Sequence, residues 1–354
     1  MYIKKILLII ALLGLIVLGF FSYKIYNSIF DSNTSFEDKQ VTVYIPTGAT
    51  YSTVLDSLRP HIKDIESFDA VARKKDYPNR VKPGKFVIEK NANNNTITNV
   101  LRTGNKPVQV VFNNQERLEN LAGRISTQIE ADSISLMQAM SDEQFLSENE
   151  FTRENALAMY IPNQYEFFWN TSAEEFRARM KREYNTFWNT ERLKKAEEIG
   201  LSPNEVTVVA SIVQKETAKV DERKRVAGVY MNRLKSDWKL DADPTVIYAL
   251  KLQQRNFDTI IKRVLYKDLT IDSPYNTYLY KELPPGPIAM PDISSIDAVL
   301  NYEDHEYLFF VADVENFGYH KFAETLEQRE DGQRQRTAAG RAAAAAEATR
   351  AAPT

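Results

Sequence analysis

The chain opens on an apolar run. Ile6 to Tyr23 is an 18-residue stretch without a charge, just long enough to cross a hydrocarbon core as a helix. Lys4 and Lys5 precede it, and Tyr23, Lys24 and Tyr26 stand at its far end. This is the arrangement of a span with a cytoplasmic N-terminus, aromatic interfacial anchors and a snorkelling lysine. A cleaved signal peptide is the competing reading, but the core is long for one and no small-x-small cleavage site follows. The expectation is an uncleaved single-pass anchor: residues 1–30 form a cytoplasmic tip and span, with 6–23 in membrane lipid. No second run of this kind occurs, which puts the rest of the chain on the outer side of the cytoplasmic membrane.

After a polar linker over residues 31–40, the pattern alternates. Val41 to Ile45 reads as a strand, Tyr51 to Leu58 has helical spacing, and Val81 to Glu89 is a turn into a second strand. Asn91 to Asn95 is a polar loop and Thr96 to Leu101 begins another helix. Residues 41–105 thus read as a compact module that resembles a LysM-like wall-binding domain. A plain spacer is the alternative. Pro107 to Phe112 is a further strand, and Gln115 to Met140 is helical with a break around Ala131. Tyr160 to Trp169 is aromatic and extended, and Ala173 to Ile199 predicts one long helix closed by Gly200. The last 24 residues, Asp331 to Thr354, carry ten Ala and no Lys. With no apolar face to bury, this tail is expected to be disordered or foreign to the natural gene.

Composition removes several classes of function. A net charge of −3 supplies no electrostatic reason to bind nucleic acid. There is no cysteine, so disulfides and thiolate chemistry are excluded. His61, His305 and His320 have no ligand spacing, and no metal is expected. Neither a Gly-rich phosphate loop nor a Gly-x-Ser-x-Gly turn occurs. No cofactor is expected.

The segment with most chemistry begins at Ser202-Pro203-Asn204-Glu205. Ser at the N-cap, Pro at the first helical position and Glu at the third make a capping box. Val206, Val209, Val213, Glu216 and Val220 then recur every three or four residues, on one face. A strand over Val206 to Val209 is outweighed by the cap and the continuing period. Glu216 therefore lies on the inward stripe, away from Lys215 and Lys219. A carboxylate there must be paired, protonated or open to a cleft. One outcome is a salt bridge to Arg223 or Arg225. The other is a raised pKa, which lets a carboxyl act as a general acid on a glycosidic oxygen.

Ala210-Ser-Ile-Val-Gln-Lys-Glu-Thr-Ala218 resembles the signature of the endolytic murein transglycosylases, the YceG-like family. The likeness continues through Val226 to Leu234, Asp241 to Tyr248, Ser273 to Tyr278, Leu283 to Ala289, Phe309 to Asp313 and Tyr319 to Phe322. These blocks follow the family's order across most of residues 155–326. The resemblance implies a lytic cut between N-acetylmuramic acid and N-acetylglucosamine within nascent peptidoglycan strands, with Glu216 as the catalytic residue. Two positions depart from the family pattern. Gln214 stands where many relatives have a second glutamate, and Ala158-Met159 replaces a common Glu-Gly ahead of the aromatic segment.

The expected fold is α+β: the anchor, the LysM-like module, and a catalytic region over 106–330 with a helical core and a short β element from Tyr307 to Phe322. Asp241 and Asp243 are the candidates for a second carboxylate, although Asp243-Pro244-Thr245 also reads as an N-cap, Pro and helix start. Asp243, Thr245, Tyr275, Asn276, Tyr278 and Tyr165 are the candidate sugar-binding residues, set against ordinary core and surface roles. Glu166 is a weaker candidate, and Leu283-Pro-Pro-Gly-Pro287 a stiff extended loop. Besides the lytic enzyme, a muramidase using Asp243 as second carboxylate and a non-catalytic scaffold for cell-wall synthesis or division proteins remain open.

Overall fold

The computed structural model describes residues 2–331 and 334; the remainder of the expected Asp331 to Thr354 tail lies outside the described residues. Along the chain run α1 (Tyr2–Phe30), β1 (Gln40–Ile45), α2 (Tyr51–Leu58), α3 (Ile65–Lys74), β2 (Gly84–Glu89) and α4 (Asn94–Thr103). Next come β3 (Pro107–Phe112), α5 (Leu118–Ser126), α6 (Ser133–Met140), α7 (Glu143–Glu148) and β4 (Asn163–Phe168). The remaining elements are α8 (Ala173–Phe187), α9 (Thr190–Glu198), α10 (Pro203–Glu216), α11 (Arg223–Lys235), α12 (Asp243–Gln254), α13 (Ile293–Leu300), β5 (Phe309–Ala312) and β6 (His320–Ala323). The class is helix-rich α+β.

Two compact units divide the chain. The first comprises the residues up to Val110 together with Ser126–Asp132 and Tyr165–Ser172. Its α1 has the length and hydropathy of a membrane-crossing helix, and none of its residues is buried. The end of α1 is tied down: the Ser28 and Ser67 hydroxyls share a hydrogen bond of 2.8 Å, and the Asn94 amide donates to the Ser28 carbonyl at 2.8 Å. β1 and β2 pair antiparallel with Val43 opposite Phe86 and Ile45 opposite Gly84. Because side chains alternate along a strand, Val43, Ile45, Phe86 and Ile88 all turn inward, where they pack with Val54, Leu58, Phe68, Ile97 and Leu101. Three of its helices start on a polar cap: Thr50 for α2, Asp64 for α3 and Asn93 for α4 accept backbone N–H bonds from the first turn.

The second unit takes in Val111–Ile125, Ser133–Gln164 and the chain from Ala173 onward. Here α10 is the hub, packed against α11, α12 and α13. The long helix expected from Ala173 to Ile199 is two helices. Asn189 caps α9 by accepting the Arg192 N–H, and Asn side chains compete well for backbone donors when they end one helix and start another. Gly200 follows with φ +74°, a left-handed conformation suited to glycine. The β element near the C-terminus is the antiparallel pair β5–β6, with Phe309 opposite Ala323 and Ala312 opposite His320.

The Leu283 to Pro287 loop is held by close approach. A Cβ at Gly286 would run into the Glu154 carbonyl oxygen, so the backbone contact exists only because glycine lacks one. Gly286→Ala should therefore destabilise the protein by roughly 1–3 kcal/mol, as overpacking against backbone does. Chemical denaturation of the full chain in detergent checks this; an unchanged midpoint would show that the loop yields freely.

Candidate active site

The site is built on the C-terminal end of α10. At its start the capping box forms as the spacing predicts: Glu205 N–H donates to Ser202 Oγ at 3.3 Å and Ser202 N–H to the Glu205 carboxylate at 2.7 Å. Every residue from Val206 to Val213 is buried, so α10 is enclosed on nearly all sides and not merely along one stripe. The stripe also stops sooner than expected. The helix ends at Glu216, Thr217 is extended, and Val220 lies 58% exposed in the next turn.

Two polar side chains of α10 fasten it to its surroundings. Ser211 Oγ donates to the Val208 carbonyl and accepts the Ile288 N–H at 3.1 Å. Gln214 accepts the Asp292 N–H and the Ser295 hydroxyl. Its role here is structural.

Glu216 is half-buried, and neither expected arginine reaches it as a partner. Arg223 donates to Ser294 and pairs with Asp292, while Arg225 pairs with Glu303. The hydroxyl of Tyr230, on α11, donates to Glu216 Oε1 at 2.8 Å. Burial raises the Glu216 pKa to about 7; the Tyr230 bond and the more distant Arg233 pull it down, and Asp243 pushes it up. The helix end contributes in the same direction as burial, because its unpaired carbonyls disfavour a negative charge.

Glu216 opens onto a cavity of about 420 Å³, lined also by Arg233, Asp241, Asp243, Tyr278, His320 and the apolar run of β5. Tyr278 donates to Asp243 Oδ1 at 2.7 Å. Asp243 is not the N-cap of α12. Ala242 holds that position, Asp243 is the first helical residue, and its carboxylate is turned to Tyr278. Burial raises the Asp241 pKa against the pull of Arg233 and Lys239. The Arg233 guanidinium is committed to the Leu308 and Leu240 carbonyls.

Of the residues singled out by sequence, Glu216, Asp243 and Tyr278 meet at this cavity, joined by Asp241. The other candidates do not line it. Thr245 is fully buried and bonds the Ala242 carbonyl and Thr277. Asn276 is fully buried and donates to the Leu269 and Ile271 carbonyls, stapling its own loop. Tyr275 is buried against Tyr248, ring centroids 4.7 Å apart. Tyr165 is buried in β4 and belongs to the first unit; Glu166 there accepts from Gln109 at 2.7 Å. Sequence reasoning gave no role to Tyr230, Arg233 or His320. The signal available was the three-residue spacing of Tyr230 and Arg233, which puts both on one face of α11. Among the described residues, no group of three or more His, Asp or Glu is placed to hold a metal ion.

A family model described as the YceG-like family matches residues 43–335. The chain is 28% identical over 309 residues to the endolytic murein transglycosylase of Bacillus subtilis (strain 168), covering 81% of this chain and 82% of that protein. It is 27% identical over 333 residues to the protein of the same name from Streptococcus pneumoniae serotype 2, covering 84% of this chain but spanning 58% of that relative's length. A 2.6 Å crystal structure of a putative YceG-like protein from Listeria monocytogenes superposes with a TM-score of 0.56 at 26% identity, covering 83% of this chain and 99% of that one.

A carboxyl whose folded pKa is raised stabilises the fold while protonated and loses that contribution as pH rises from its unfolded value, near 4.5, through about 7. Glu216→Gln should therefore be more stable than the parent at pH 8, by on the order of 3 kcal/mol, with the gap closing below pH 4.5. Denaturation at the two pH values measures it, and equal stabilities at pH 8 would contradict a raised pKa. Tyr230→Phe removes a bond that favours the ionised form, so Glu216 should titrate above about 7 in that variant. Carboxyl-carbon NMR reads the shift directly.

Proposed function

The chain belongs to the YceG-like family, and from that premise we propose that it is an endolytic peptidoglycan lytic transglycosylase with Glu216 as its catalytic acid and base. The observation that carries the reading is the Glu216 carboxyl, raised to about 7 and opening on the cavity it shares with Asp243 and Tyr278. Near neutral pH such a group holds a proton in a large fraction of molecules and releases it at small cost. Relatives in two organisms carry the name endolytic murein transglycosylase, which supplies the substrate class.

The proposed bond is the β-1,4 link from N-acetylmuramic acid to N-acetylglucosamine. The proton on Glu216 passes to the bridging oxygen as the bond to the muramyl anomeric carbon breaks. The Glu216 carboxylate then takes the proton of the muramyl 6-hydroxyl, whose oxygen bonds to that carbon. The product is a 1,6-anhydromuramyl end; no water is consumed and the enzyme returns to its protonated state. Because the nucleophile is part of the substrate, the step has the advantage of an intramolecular reaction. Tyr230 holds one carboxyl oxygen, which leaves the other for the proton that moves.

In this reading α1 anchors the chain in the cytoplasmic membrane through residues 6–23, with the N-terminus inside and the catalytic region, over 106–330, outside. The strand–helix–helix–strand order of β1, α2, α3 and β2 supports a LysM-like role for residues 41–105. Cutting within nascent strands limits their length, and cell-wall synthesis or division proteins are the natural partners. Asp243 at the same cavity favours a second reading, a muramidase in which it activates water.

Mass spectrometry of peptidoglycan digested by the full chain separates the readings. Anhydromuramyl ends are expected; reducing muramyl ends would establish the hydrolase, and no cleavage would leave a wall-binding scaffold. Glu216→Gln should lower the rate by roughly 10²–10⁴-fold, the usual contribution of general acid–base catalysis. Activity should fall as pH rises through about 7 and the acid form is lost.

A further inference from the structure

Behind His320 in the wall of the same cavity lies a buried carboxylate. Glu222 ends the short turn Val220–Glu222 that precedes α11, and its side chain is 3% exposed. Both of its oxygens go to one residue: the His320 backbone N–H reaches Oε1 at 2.7 Å and the His320 ring Nδ1 reaches Oε2 at 2.9 Å. Anchoring β6 to the turn would require only the backbone bond. The ring bond adds something different, since it fixes the orientation and tautomer of an imidazole that lines the Glu216 cavity. A carboxylate accepts only, so Nδ1 carries the proton, and Nε2 is the ring nitrogen left as an acceptor. Phe310, edge-on at 5.1 Å, and Phe322 flank the ring and restrict its rotation.

We infer that His320 is a glycan-binding residue of this cavity, offering Nε2 to a hydroxyl or acetamido N–H of the sugar, and that Glu222 is the positioning residue that holds it there. This rests on the proposed peptidoglycan substrate. An oriented imidazole paired with a buried carboxylate is a recurrent means of presenting one ring nitrogen in a set direction. Phe309 and Phe310, which line the same cavity, give its wall an apolar character suited to the faces of sugar rings, with Nε2 as a polar point.

The test uses the full chain in detergent and a GlcNAc–MurNAc octamer as probe. In a Glu216→Gln background, where turnover is suppressed, His320→Ala should weaken octamer binding about tenfold, the value of one lost hydrogen bond of about 1.4 kcal/mol. His320→Gln, which keeps a polar atom near the position of Nε2, should recover part of the loss. Glu222→Gln should weaken binding by a smaller factor, since one of its two His320 bonds is lost. With Glu216 intact, KM should rise in His320→Ala while kcat stays within about threefold of the parent.

Unchanged affinity and KM in both His320 variants would overturn the inference. A fall in kcat with affinity and KM untouched would overturn it too, because that is the signature of proton transfer and not of binding. The His320→Gln arm and melting curves keep the test valid if His320→Ala folds poorly. If the parent binds the octamer through His320 but leaves peptidoglycan uncut, the catalytic reading fails and this one stands. If the parent cuts and both His320 variants match it, this inference fails alone.

Discussion

The Tyr230 hydroxyl, 2.8 Å from Glu216, meets a constraint on which the rest of the second unit depends. A general acid must be buried enough to keep its proton, yet polar partners strong enough to ionise it must stay away. A phenol satisfies both conditions. It pairs one carboxyl oxygen without bringing a positive charge, and Tyr230 is itself buried deeply enough that its own proton is held tightly. The position of that phenol is set by α11 lying against α10, which in turn requires α10 to end at a fixed place. The capping box at Ser202, the Ser211 bond to the Ile288 backbone and the Gln214 bonds to Asp292 and Ser295 fix that helix along its length.

The cations near α10 show the same logic. Lys215, one residue from Glu216, is drawn to Glu116 at 2.7 Å, and Lys251 reaches the other Glu116 oxygen at 2.8 Å. Burial would raise the Glu116 pKa, but these two ammonium groups outweigh it and hold the carboxyl below its usual range. Arg223 and Arg225 are occupied by Asp292 and Glu303. Arg233 and Arg329 both line the cavity; the donors of Arg233 are turned to two backbone carbonyls, and Arg329 lies over the Phe309 ring at 5.9 Å. With those cations engaged elsewhere, desolvation decides the state of Glu216, and Asp243 adds to it.

How much of this was legible depended on whether the signal was local. The N-terminal apolar helix, the ends of α2 and β3, the capping box and the position of Glu216 all follow from short-range periodicity and capping chemistry. The break at Asn189 was missed because one good N-cap inside a helical pattern ends the helix without disturbing its apolar spacing. Thr245, Tyr275 and Asn276 have the right chemistry for binding sugar, but each is spent on its own loop or core. Tyr230 and His320 were invisible as site residues for the opposite reason. Their partners lie 14 and 98 residues away, and only the folding of α11 and β6 brings them together.

The two carboxylates at the cavity are held in different ways, and the difference bears on the chemistry. Glu216 stands at the C-terminal end of α10, whose carbonyls oppose a negative charge, and is half-buried. Asp243 stands in the first turn of α12, is exposed, and accepts from the Tyr278 hydroxyl. The cavity thus holds one carboxyl withdrawn from water, suited to lending a proton, and another open to solvent and bonded to Tyr278. In the proposed reaction, a carboxylate at that position would steady positive charge developing on the sugar ring as its bond to the leaving oxygen lengthens. That task requires no water to be positioned, and it is compatible with a substrate that supplies its own nucleophile. A hydrolase would instead require Asp243 to turn a free carboxylate oxygen to a bound water while Tyr278 keeps the other.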